Sequence, residues 1–143
     1  MTTHDRTIIF HKHPVSAKVR FLKQKHGGIC GFDSLPDLAN VLDEEILEKE
    51  ENVINHPIRI TRNAEEELKL DEGSLKIESE YFQRVDVPKG IINVYLVGIV
   101  GHDTPDETLA EQGMSLKLIT EMRDLNPTEM ELLRRAYVAI MEG

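Results

Sequence analysis

The side chains best placed to do chemistry in this sequence are its histidines and the acids beside them. The segment Gly98-Ile-Val-Gly101-His102-Asp103-Thr104-Pro105 leaves an apolar stretch and enters a helix-start pattern. A strand-to-helix junction offers unpaired backbone N–H groups, which suit an anion or a carboxylate. His102 would supply a base and Asp103 an acid, with Gly101 and Thr104 as ligand-binding positions. The plainer account is structural. Gly101 turns the chain, Thr104 caps a helix, and His102 and Asp103 meet solvent.

A second constellation is His11-Lys12-His13. Residues two apart on a strand share a face, so two imidazoles could begin a zinc, nickel or copper site. Two more ligands are needed, and His26, Cys30 and His4 are the nearest in sequence. A third is His26-Gly27-Gly28-Ile29-Cys30-Gly31. Flanking positive charge favours the Cys30 thiolate, and glycines such as Gly28 let backbone approach a bound anion. The spacing matches neither of the two common glycine-rich nucleotide motifs. A fourth is the acidic run with Glu44, Glu45, Glu48, Glu50 and Glu51, whose like charges call for a cationic partner.

Charge sorts these possibilities. The 143 residues carry 17 Lys+Arg against 26 Asp+Glu, a net charge of −9. Residues 1–31 hold a net +5 and the remaining 112 a net −14. An acidic chain is a poor general binder of nucleic acid, where phosphate neutralisation drives affinity. The basic stretch instead suits an acidic partner, a small anion, or the acidic half of the same chain or of a second copy. One Cys excludes an internal disulfide framework. The longest apolar run, residues 91–101, contains Asn93 and is far short of the ~20 residues that span a bilayer. No secretory signal pattern opens the sequence, so a cytoplasmic, membrane-free location is expected.

Behind these residues stand the elements that must position them. Thr7 to His11 reads as a strand closed by Pro14. Val15 to Lys25 satisfies both periods, and helix is favoured because lysines gather at its end before Gly27. Ser34 to Glu51 reads as a helix opened by Ser34 and Pro36. Pro57 to Thr61 alternates like an edge strand, and Asn63 to Glu72 suits a single helical turn. Leu75 to Val85 and Ile91 to Val100 read as a hairpin around Pro88, with the second strand central because it is apolar on both faces. Thr104 to Glu107 and Asn126 to Glu129 are capping-box patterns. They predict a short helix to Gly113 and a longer one carrying Met130, Leu133, Tyr137 and Ile140. Ser115 to Leu125, with Leu116, Ile119 and Met122 at helical spacing, predicts another helix.

The elements predict one α+β domain over residues 1–143: a small, mostly antiparallel sheet packed against N-terminal helices and a C-terminal helical pair. The first functional expectation is a binding or regulatory protein-interaction module without catalytic activity, forming a homodimer or engaging another protein. The alternatives are a small-ligand-binding protein or enzyme with its site at Gly101 to Thr104, and a metal protein using His11, His13 and His26.

Overall fold

The computed structural model describes residues 2–24, 27–29, 40–41, 57–88, 90–101, 103–122, 125 and 127–142. The β-branched run beginning at Thr7 lies inside strand β1 (Thr2–Lys12). A turn through Pro14 returns the chain as β2 (Val19–Lys23), antiparallel to β1 with Phe10 opposite Phe21. The helix favoured over residues 15–25 is therefore not formed. Val19 and Phe21 use the period of two to bury side chains, and pairing with β1 satisfies the backbone. Gly27 keeps its positive φ of 94°, within a turn in which its N–H bonds the Gln24 carbonyl.

The helix expected over residues 34–51 lies mostly outside the described residues. Within it, Asn40–Val41 form the short strand β3, so no helix runs through them. Pro57 to Thr61 is not a strand; it opens helix α1 (Pro57–Leu68), with Pro57 at the first position. Five residues cannot separate the two periods, but Ile60, Ala64 and Leu68 extend a four-residue spacing and are all buried. Burying Ile60 and Leu68 is worth about 1.5–3 kcal/mol each. Glu65 on this helix is buried too. Its carboxylate accepts hydrogen bonds from Gly73 N–H at 2.9 Å and Leu75 N–H at 3.1 Å, fixing the loop into the next strand.

β4 (Leu75–Val87) and β5 (Gly90–Ile99) form the expected antiparallel hairpin. A register irregularity between Ile77 and Phe82 breaks the simple alternation of β4. Ile77 pairs with Val97 and Phe82 with Tyr95, so residues of opposite parity meet partners on one face of β5. Asn93, the polar interruption of β5, is buried and accepts a 3.2 Å hydrogen bond from Arg84 Nε directly across the hairpin.

Helix α2 (Asp106–Glu111) follows β5. The capping box expected at Thr104 does not form: the helix begins a residue later, and the Thr104 hydroxyl donates to the Asp106 carboxylate at 2.7 Å. The helix expected over residues 115–125 is replaced by strand β6 (Ser115–Leu118), paired with β2, and a short 3-10 turn at Ile119–Glu121. Glu121 accepts from Leu118 N–H at 2.8 Å. Helix α3 (Pro127–Glu142) ends the described chain.

The six strands lie in the order β3-β4-β5-β1-β2-β6. Two antiparallel halves, β3-β4-β5 and β1-β2-β6, join along one parallel seam between β1 and β5. β5 is thus an interior strand, as its two apolar faces imply. One face of the sheet packs Ile8, Phe10, Phe21 and Leu96 with Leu132 and Ala136 of α3. The other packs Ile9, Leu22 and Val97 with Ile60 and Leu68 of α1 and Leu109 of α2. The result is a mixed α/β fold of a six-stranded sheet with helices on both faces. The sheet is antiparallel except at its centre. The two helices of the last third lie on opposite faces, separated by β6, rather than side by side. No described helix is long and apolar enough to cross a membrane.

Candidate functional site

Because β1 and β5 run parallel, their carboxyl ends emerge side by side. The first two candidate segments, ninety residues apart, therefore meet. His11 is 1% exposed, and its Nε2 lies 2.8 Å from the Gly101 carbonyl oxygen. A carbonyl only accepts, so Nε2 carries the proton. The His11 Nδ1 is buried and has no hydrogen-bond partner among the described residues. Gly101 takes φ = 99°, a left-handed turn that suits glycine and aims its carbonyl back at β1.

His13 is spent differently. Its Nδ1 accepts from the backbone N–H groups of Val15 and Ser16, each at 3.2 Å, and so holds the β1–β2 turn. The two rings stand edge to face with centroids 6.3 Å apart. Each imidazole thus commits one nitrogen to backbone. Among the described residues, no group of three His, Cys, Asp or Glu side chains is arranged to hold a metal ion. His26 and Cys30, the further ligands considered from sequence, lie outside the described residues. Gly28 is described and accepts from Gln24 N–H at 2.7 Å, a turn-closing role.

His102 also lies outside the described residues. Its neighbours Asp103 and Thr104 line an open cleft of about 570 Å³ at the carboxyl end of β5, completed by the 69–74 loop, Val100 and Thr108. Thr104 Oγ1 lies 3.5 Å from Arg20 Nη2 and is held by Asp106. The cleft carries Lys69 against Asp71, Glu72 and Asp103, and Glu72 is bridged by Arg62 at 2.7 Å. That balance is unfavourable to the anion a strand-to-helix turn would otherwise attract.

A second surface was not singled out from sequence. α3 buries Glu129, Leu132, Leu133, Ala136 and Ile140, a stripe rotated slightly from the one expected, with Met130 and Tyr137 at its margin. Tyr81 donates to the Leu132 carbonyl at 3.1 Å, and Glu129 accepts from Ile29 N–H at 3.0 Å, so the helix is tied to the sheet and to the 27–29 loop. Its outward face then presents Arg134, Val138, Met141 and Glu142. Val138 is 50% and Met141 48% exposed, although apolar and three residues apart. Arg134, Val138 and Glu142 of this face also line an open cleft of about 520 Å³ between α3 and β4, opposite Tyr81 and Gln83, with Met141 outside its lining.

The polar rim of this cleft is preorganised. Arg135 Nη1 donates to Gln83 at 2.8 Å, and its Nε donates to Glu131 at 2.8 Å. The Arg135 hydrogen bond holds the Glu131 carboxyl below its ordinary value; partial burial opposes this, and the charges of Arg135 and Arg134 reinforce it. The readable signal in the sequence is the helical spacing of Arg134, Val138 and Met141 on the side opposite Leu132 and Ala136. The chain matches no known protein family, and no curated protein is significantly similar to it.

Proposed function

We propose that this protein is a non-catalytic interaction module that self-associates through the outward face of α3. The observation that carries this reading is the half-exposed pair Val138 and Met141 on a helix whose other side is anchored in the core. Adjacent apolar side chains with a charged rim are the composition of a small docking surface. The absence of a catalytic role is supported by the described histidines. His11 is 1% exposed and so out of reach of a surface-bound substrate, and the His13 Nδ1 accepts from two backbone N–H groups of its own turn.

Sedimentation equilibrium of the full chain tests the reading. The weight-average mass should rise with concentration. Val138→Asp combined with Met141→Asp should return it to the monomer value, with an unchanged circular dichroism spectrum and melting curve. Val15→Asp, at an equally apolar and more exposed position on the β1–β2 turn, should leave association intact. A chain that stays monomeric throughout, or an association indifferent to the α3 face, rejects the reading.

A further inference from the structure

The outward face of α3 has an internal symmetry. Val138 lies at its centre, with Arg134 four residues before it and Glu142 four residues after it. At 1.5 Å per residue, the two charges stand about 6 Å either side of Val138 along the helix axis. Opposite charges equidistant from an apolar centre make a surface complementary to itself under a two-fold rotation.

We infer that two copies of the chain pair their α3 helices antiparallel, about an axis at Val138, with Arg134 of each copy facing Glu142 of the other. This rests on the self-association reading above and specifies its geometry. Val138 meets Val138 at the centre of the pairing. Parallel pairing would set Arg134 against Arg134 and Glu142 against Glu142, so like charges select the antiparallel arrangement. The neighbouring arginine is not a competitor: Arg135 is turned inward by Gln83 and Glu131. Arg134 is the outward cation, its side chain 64% exposed, and its 3.0 Å contact with Glu131 engages only part of the guanidinium fork. An antiparallel crossing near 20° keeps both ion pairs in reach, because the contact then extends more than a turn on each side of the axis.

Charge reversal tests the register. Arg134→Glu and Glu142→Arg should each weaken dimerisation by about tenfold, since two-fold symmetry turns each substitution into two repulsive contacts. The double variant R134E/E142R restores opposite charges across the axis and should recover most of the wild-type affinity. Arg134→Glu also breaks the contact with Glu131 within the chain, so only a small drop in melting temperature is expected, and the circular dichroism spectrum verifies folding. If Val138→Asp dissociates the dimer while R134E/E142R stays as weak as the single reversals, the register is wrong and the interaction surface stands. If Val138→Asp has no effect either, both fall together.

Discussion

The Nε2 of His11 donates to the carbonyl oxygen of Gly101 across 2.8 Å, joining the carboxyl ends of the two parallel strands at the centre of the sheet. The bond adds a side-chain tie at the carboxyl end of the parallel seam that joins the two antiparallel halves. It also accounts for a buried histidine without assigning it any chemistry.

His11→Leu should therefore destabilise the fold by about 0.5–1.5 kcal/mol, the usual net contribution of a hydrogen bond inside a protein, and toward the lower end because the leucine also removes the buried Nδ1. The measurement is urea unfolding, where the midpoint should fall with little change in slope. A midpoint equal to the wild type would mean that the bond contributes nothing.

Gly98 lies opposite Phe10 on the neighbouring strand, and a Cβ built there would stand 2.9 Å from Phe10 Cζ. Gly98→Ala should cost about 1–3 kcal/mol by overpacking, and Phe10→Leu in the same chain should relieve much of the added strain. A double-mutant cycle by thermal unfolding reads the coupling. Additive effects would show that the ring moves aside freely.

Glu131 gives a prediction in pH. Its folded-state carboxyl titrates below its ordinary value of 4.5, because Arg135 bonds the charged form. The stabilisation is present above the unfolded-state value and is lost as pH falls through the folded one. Glu131→Gln should flatten that acid-side loss, by about a few tenths of a kcal/mol because the side chain is 39% exposed. An NMR titration placing the Glu131 carboxyl at or above 4.5 would contradict the arrangement.

The sequence was most legible where one element carried its own evidence. The β4–β5 hairpin follows from an alternating run and an apolar run flanking Pro88, and α3 follows from Pro127, its leading acids and its repeating stripe. It was least legible in short segments that satisfy two periods at once. Residues 19–23, 57–61 and 115–118 each went to the other state, because a partner strand or a longer buried stripe supplied the deciding contacts. The sequence places Glu65 in an acidic stretch and Glu129 in a capping-box pattern, yet both are buried acceptors for backbone N–H groups of other segments.

By itself, then, the sequence determined that β5 is interior, that the chain is acidic with a basic start, and that its last helix has one apolar side. These properties depend on residue type and spacing along a single element. Only the tertiary structure decided that β1 and β5 run parallel, which brought His11 to Gly101 and spent an imidazole on backbone. Only it decided that the Val138 face of α3 borders a cleft against β4. Both outcomes depend on which surfaces meet across long stretches of chain, and the energy of those meetings is not written in any one segment.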